Sequence, residues 1–285
     1  MRSRICPGLV TIMLCGAVQA AEQASAQPQR PLLQPPTAAV ASPITDRFAV
    51  RAMYYRPSVS GIARYDDSLG APGTTFSAED TLAMQDTKNQ GWIDLLFRMT
   101  ARHRLAAQFY ELRRKGTTTL SQALEFGDQT FQPADGTILS HMDMRQLNLV
   151  YTYSAVQRET LELGVGFGIH LVQIEGTIEA PAAFKREHLD AAGPHPTLAA
   201  DFTWRFTKRF SANGGARIVA FNSGGVDASA LAWNLDVQYR MQRNFALGLG
   251  YASTRYRLDS TDPDFFLGYL KLRYHGPQFF LRASF

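Results

Sequence analysis

One short stretch contains the three residue types that serine hydrolases use for catalysis: Ser140, His141 and Asp143. A serine hydroxyl becomes a nucleophile when a nearby base takes its proton, and histidine oriented by an acidic group is a common base. If this stretch is a β-strand, successive side chains point to opposite faces, so Ser140 and His141 do not meet. The spacing argues against catalysis, and a lipid-modifying hydrolase using His141 or His170 stays an alternative.

His170 lies in a glycine-rich stretch, close in sequence to Glu162. It is interpreted as part of a polar interior, with a gate or ligand role as the alternative. No second histidine follows at ligand spacing, so no metal site is predicted there. No glycine-rich phosphate loop or other cofactor motif is found, so no cofactor is predicted. An acidic loop segment is assigned to solvent near lipopolysaccharide rather than to a divalent cation: Asp66, Asp67, Glu79 and Asp80.

Hydrophobic residues alternate with polar ones or glycine along most of the chain from residue 46, and this period of two is typical of β-strands. The clearest run has Leu163, Val165 and Phe167 on one face and Gly164 and Gly166 on the other. The connections alternate between short and long, which is typical of a membrane barrel. We assign the short ones to the periplasm and the long ones to the outside. The long ones are residues 57–90, 127–136, 181–193 and 222–227, with a brief one at 259–264.

The N-terminus predicts export. Arg2 and Arg4 precede an apolar stretch at residues 5–18, and small residues stand before Ala21, so residues 1–20 are predicted to be a cleaved signal peptide. Both cysteines of the chain lie inside this segment, which excludes a disulfide framework, a cysteine nucleophile and a cysteine metal site in the mature chain. Residues 21–45 are rich in Ala, Gln and Pro and are predicted to be a disordered linker before the fold at 46–285.

The charge balance does not favour a nucleic-acid partner. The chain has 29 basic and 25 acidic residues, and removing Arg2 and Arg4 leaves 29 − 2 = 27 basic residues, a net charge of 27 − 25 = +2. No block of Lys and Arg concentrates that charge, so no nucleic acid is predicted.

The end of the chain decides the number of strands. Residues 279–285 are too few to cross a bilayer alone, since a tilted strand needs roughly 9 to 11 residues. We predict one long final strand, bent by a bulge at Gly276-Pro277 that shifts which side chains face outward. The fold class is then an all-β, antiparallel transmembrane β-barrel of about ten strands, within a range of roughly 8 to 12.

A soluble β-sandwich also alternates, but its polar face meets water. Here aromatic residues near the ends of the apolar stripes favour a membrane barrel, and the other face then lines a lumen in which opposite charges must pair. This predicted lumen set is Arg51, Asp94, Arg98, Glu162, His170, Asp201, Arg205, Asp236, Arg240 and Arg282.

A signal peptide, strands with aromatic ends and a final stripe closing on Phe285 together resemble the outer-membrane β-barrel proteins of Gram-negative bacteria, over residues 46–285. The resemblance implies a location in the cell outer membrane and partners in outer-membrane lipid and lipopolysaccharide. It also implies that Phe279, Leu281, Ala283 and Phe285 form the signal for the barrel-assembly machinery. We predict a monomer with a structural or small-solute permeability role. A loop-mediated adhesin or receptor is the remaining alternative.

Overall fold

The computed structural model describes residues 42–263 and 266–285. This part of the chain is all-β apart from two single-turn 3₁₀ helices, Pro133–Asp135 and Pro181–Ala183. No helix in the described residues is long and apolar enough to cross a membrane. The predicted signal peptide, and the predicted linker up to residue 41, lie outside the described residues. The strands are β1 Phe48–Tyr55, β2 Ser58–Tyr65, β3 Phe76–Ser77, β4 Gln90–Arg98, β5 His103–Thr119, β6 Leu124–Phe126, β7 Gln129–Phe131, β8 Thr137–Gln157, β9 Leu161–Ala180, β10 Lys185–Arg205, β11 Phe210–Ser223, β12 Val226–Arg240, β13 Phe245–Asp262 and β14 Phe266–Ser284.

The sheet closes on itself. Strand β1 pairs with β4 on one side and with β14 on the other, both antiparallel. β1 and β2 form one wall strand, because the register of β14 against β1 (Gln278 opposite Tyr55) continues unchanged against β2 (His275 opposite Ser58). The ring therefore has ten antiparallel wall strands, and the predicted fold class and strand count are confirmed.

The final strand is single, as predicted, but the predicted bulge at Gly276-Pro277 was wrong. β13 and β14 stay in one register from Phe245 to Asp262, so the same set of side chains faces outward along the whole strand. Gly276 instead permits a close approach, because a Cβ there would lie 2.4 Å from the carbonyl oxygen of Arg56. The register shift in the described wall lies elsewhere, between Ser154 and Val156 at the base of β8.

The strands are longer than the alternation predicted. β8 has 21 residues, which span about 70 Å along the strand and about 50 Å of height at a tilt near 45°. A hydrocarbon layer is only about 30 Å thick, so the wall extends roughly 20 Å beyond it. Two predicted loops shrink accordingly: residues 181–193 become a connection of 181–184, and residues 222–227 become a turn at Gly224 and Gly225, both with positive φ.

The two ends of the barrel differ. One end, here called the short-turn end, carries the connections 99–102, 158–160, 206–209 and 241–244. The other, called the loop end, carries residues 66–89 and 120–136 and the connection 181–184. The outer surface of the short-turn half is an apolar band of exposed large side chains, among them Ile93, Val165, Phe167, Leu198 and Leu249.

Aromatic rings border this band on both sides. Near the short-turn end, the ring of Phe210 contacts the rings of both Phe206 and Tyr239. At the opposite border Tyr251 lies between Trp233 and His275, with ring centroids 6.0 and 6.3 Å away. An apolar band between aromatic borders is the surface that a bilayer requires of a barrel.

Candidate functional site: the barrel lumen

The first ion-pair group of the lumen is centred on Glu162, near the short-turn end. Arg98 donates two hydrogen bonds to its carboxylate, at 2.7 and 2.9 Å, and Ser154 donates a third at 2.6 Å. Arg104 lies 3.6 Å from the same carboxylate and 2.8 Å from Asp201. Glu162 is only 1% exposed, so these partners are what allow its charge to be buried.

Gly164 makes this packing possible. A Cβ at that position would lie 2.2 Å from Nη2 of Arg104 and 2.6 Å from Cγ2 of Thr152. The glycine therefore provides the space that the guanidinium of Arg104 occupies.

A second group closes the short-turn end itself. Arg240 and Arg282 both donate to Oδ2 of Asp46, at 2.6 and 3.1 Å. Asp46 ends a turn in which its backbone N–H donates to the carbonyl of Ser42 at 3.0 Å. Ser42 and Ile44 are each 2% exposed, although the predicted linker extended to residue 45. Residues 42–46 therefore form a stopper at the base of the barrel, called the N-terminal stopper below.

A third group crosses the lumen. Arg51 donates to Asp94 at 2.6 Å and to Asp236 at 3.2 Å. Gln108 donates to Asp94 at 2.8 Å, and Asn213 donates to Asp236 at 2.7 Å. Both carboxylates are thus shared between a guanidinium and an amide, which fixes their positions across opposite walls.

Two neighbouring cavities of about 160 and 60 Å³ lie in the lumen. The larger one is lined in part by members of these groups, including Arg51, Asp94 and Arg104. Gln108, Asn148, Asn234 and Arg217 line both, and Arg217 donates to Gln108 between them. The smaller cavity is also lined by buried polar side chains that lack a hydrogen-bond partner in the described residues, including Tyr110 Oη, Tyr256 Oη, His170 Nε2 and Thr197 Oγ1. Such a set is typical of a hydrated chamber, because buried polar groups need partners.

The half of the lumen nearest the loop end is apolar. The segment 76–86, called the plug segment, folds against the inner wall and buries Phe76, Leu82 and Met84. They join inward-facing wall residues in one cluster that includes Leu112, Ile138, Met144, Ile174 and Leu272.

Polar contacts hold the plug segment in place. Arg114, fully buried, donates to the carboxylate of Glu79 and to the carbonyl of Gln85. Ser140 donates to the carbonyl of Leu82 at 3.4 Å. Ser140, weighed above as a nucleophile, and Glu79, weighed as a cation ligand, thus make contacts that hold the plug segment in place.

The structure does not bring the serine, histidine and aspartate together. Ser140 faces the lumen, whereas His141 is on the outer face of β8, and Asp143 lies 3.2 and 3.3 Å from Arg113 and Arg145 on the outer wall. The alternation of the strand separates them, as the sequence argument stated.

His170 donates to or accepts from Asn148 at 2.6 Å, and the structure adds a second histidine that the sequence analysis missed. His195 on β10 lies directly opposite His170 on β9, and both are buried. The pairing register brings them together across 25 positions of sequence, which ligand spacing along one strand cannot reveal. No group of three or more His, Cys, Asp or Glu side chains able to hold a metal is found in residues 42–263 and 266–285.

The predicted lumen set is placed as follows. All of its members except Arg205 have an ion pair or hydrogen bond in the interior groups described above. Arg205 is half-buried at the short-turn rim and makes no ion pair within the described ranges. Arg104, Asp46, Gln108 and Arg217 belong to the same groups but were missed.

The terminal stripe faces outward. Phe279, Leu281 and Phe285 are exposed on the band, and Ala283 is half-exposed. The backbone N–H of Phe285 donates to the carbonyl of Phe48 at 2.8 Å, so the last residue takes part in closing the ring. Its role in assembly stays a prediction.

The fold matches solved outer-membrane barrels. The outer membrane protease OmpT from Escherichia coli aligns over 87% of this chain and 100% of its own, with a TM-score of 0.54 and 8% identity. The Pseudomonas aeruginosa outer membrane protein OprG aligns over 84% and 95% at a TM-score of 0.34 and 12% identity, and the transport unit of the Escherichia coli autotransporter AIDA-I over 84% and 90% at 0.40 and 8%. No family model and no curated protein matches the sequence. The match to OmpT shows that the chain has the fold of outer-membrane β-barrels, and at 8% identity the likeness extends no further than the fold.

Proposed function

We propose that this chain is an outer-membrane β-barrel with a structural role, whose lumen is closed in its resting state. The observation that carries the proposal is that both ends of the lumen are filled. The N-terminal stopper and the Asp46 pairs occupy the short-turn end, and the plug segment with its apolar cluster occupies the loop end. The cavities between them have volumes of about 160 and 60 Å³, space that water molecules can fill.

The outer surface supports the membrane location. An apolar band this extensive is rare on a soluble monomer, because exposed contiguous apolar surface favours association. Its aromatic borders and its restriction to one half of a long wall fit insertion of that half in a bilayer. We assign the bilayer to the outer membrane, in keeping with the fold.

Small-solute permeability is the second candidate, and the hydrated chamber favours it. Amide, hydroxyl and guanidinium groups line the cavities around Arg217, and such groups can replace the hydration shell of a polar solute. This function requires the plug segment to leave the lumen.

Swelling of liposomes in a small sugar separates the two candidates. One variant replaces the plug segment, residues 76–86, by a short Gly-Ser linker, a second carries Asp46→Ala, and a third combines both. We expect wild-type protein to swell liposomes no faster than empty controls and the combined variant to swell them rapidly. Glu175→Ala, on the outer wall, serves as a matched control that removes a charge without touching the lumen. Wild-type swelling as fast as the combined variant would overturn the closed lumen in favour of permeability.

A further inference from the structure

The outer wall of β13 and β14 carries a ladder of like charges. Arg255 lies directly opposite Arg273, and the next outward-facing pair along the strands is Arg257 opposite Lys271. All four side chains are exposed. Side chains directly opposite in an antiparallel pair have Cβ atoms about 4.5–5.5 Å apart, and like charges there destabilise the sheet. We call these four residues the basic ladder.

Half of the ladder has no compensating group. Arg257 pairs with Asp259 at 2.7 Å, and the ammonium of Lys271 lies 4.9 Å from the ring centre of Tyr269. Arg255 and Arg273 make no ion pair in the part of the chain that the structure describes. The two unpaired guanidiniums are the ones that face each other.

Another part of the outer wall pairs its charges. A cluster on β5, β8 and β9 has an opposite partner within 3.7 Å for every charge. Its members are Glu111, Arg113, Asp143, Arg145 and Glu175. Two guanidiniums that face each other directly without an opposite charge therefore set the ladder apart from this cluster.

The ladder lies just beyond the apolar band. Along β13 the outward-facing positions run from Leu249 and Tyr251, at the aromatic border, through Ser253 to Arg255. Four residues of a tilted strand rise about 10 Å. A bilayer's headgroup layer is about 5–8 Å deep, and a long arginine side chain reaches back toward it.

We propose that the basic ladder binds the phosphate groups of a lipid in the surrounding leaflet. Guanidinium matches phosphate in a planar two-bond geometry, and one phosphate between Arg255 and Arg273 would convert their repulsion into attraction to a shared anion. The adjacent Tyr251 and the apolar band would contact the acyl chains of the same molecule. This inference rests on the membrane location and is independent of whether the lumen is closed.

The test compares binding of lipopolysaccharide to refolded protein in a zwitterionic detergent. The double variant Arg255→Gln/Arg273→Gln removes the unpaired charges, and Arg113→Gln/Arg145→Gln removes the same number of arginines from the paired cluster on β5, β8 and β9. We expect affinity on the order of tenfold weaker for the first variant, corresponding to about 1.4 kcal/mol, and a change of less than about twofold for the second, whose charges are already paired. Equal loss in both variants, or in neither, would overturn the site.

A thermal measurement and a second probe complete the test. In detergent alone, Arg255→Gln/Arg273→Gln should unfold at the same or a higher temperature than wild type, because a repulsive pair has been removed. Added lipopolysaccharide should then stabilise wild type more than the variant. Inorganic phosphate serves as the second probe. If it binds the ladder as tightly as lipopolysaccharide does, the assignment to lipid is wrong and the ligand is free phosphate. A folded variant that gains as much stability from lipopolysaccharide as wild type also contradicts the proposal.

Discussion

The Glu162 group offers the sharpest test of what holds the lumen together. Glu162→Ala removes a carboxylate that accepts from Arg98 at 2.7 and 2.9 Å and from Ser154 at 2.6 Å, and that lies 3.6 Å from Arg104. Both arginines are about 6% exposed. Arg98 then loses its one carboxylate partner among the described residues, while Arg104 keeps Asp201. Removing one member of a buried pair costs about 3–5 kcal/mol, because the remaining charge is left uncompensated.

A graded series isolates the charge. Glu162→Gln keeps an acceptor for Arg98 and Ser154 but removes the negative charge, and we expect it to cost about 2 kcal/mol. Glu175→Ala is the matched control, since its nearest oppositely charged partner, Arg145, lies 3.7 Å away on the outer wall and both are partly exposed. An exposed pair of this kind contributes about 0–1 kcal/mol.

The assay is equilibrium urea unfolding of each variant in lipid vesicles, followed by tryptophan fluorescence and by the shift in gel mobility between boiled and unboiled samples. The expected order of stability loss is Glu162→Ala, then Glu162→Gln, then Glu175→Ala. If Glu162→Ala costs no more than Glu175→Ala, the interior charges are solvated and the account of a tightly paired lumen is refuted.

Gly164→Ala should lower the free energy of unfolding by about 1–3 kcal/mol in the same assay, because the new Cβ meets the guanidinium of Arg104. Gly91→Ala should change it little, since the nearest atom to its new Cβ would be 3.7 Å away. Equal losses in the two variants would contradict this prediction. Phe285→Ala keeps the backbone hydrogen bonds of residue 285, so it should leave stability in detergent unchanged but slow assembly in cells. Deletion of Phe285 should reduce both the stability and the rate of assembly. Normal assembly of Phe285→Ala would contradict the prediction that Phe285 is part of the assembly signal. The pKa of Asp135 is lowered by a hydrogen bond from the backbone N–H of Gln132 and by the neighbouring Lys185. The ionised carboxylate therefore helps to order the 120–136 loop above the ordinary aspartate pKa, and this contribution is lost as the pH falls through the lowered pKa. Amide exchange of that loop should rise at low pH in wild type and should lose this pH dependence in Asp135→Asn.

The alternation of side chains was sufficient to predict the ring but not its height. In the short-turn half the outward stripe is apolar, as in Val165 and Phe167, and this pattern predicts strands directly. Beyond the band the faces exchange character: Leu112 and Ile174 point into the lumen, while Arg113 and Glu175 face outward. The period is still two, but beyond the band the polar face is the outer one. Because membrane strands were identified by an apolar outer face, these parts of the strands were predicted to be loops.

The lumen partners could be predicted only in part. The parity of each strand identifies inward charges such as Glu162 and Asp236, but the partner of each depends on the register between strands, which alternation does not specify. Arg104 was missed because the outward stripe of β5 is short, ending at Phe109. Asp46 was missed because the proline-rich composition just before it indicated a linker.

The closed lumen is tested most directly by single-channel recording in planar bilayers. The sample must be wild-type protein whose folding is shown by its gel mobility before and after boiling. The paired charges of the short-turn end and the plug segment predict insertion without steps of conductance. Regular ohmic steps that scale with salt concentration in every insertion of the folded protein would contradict the account.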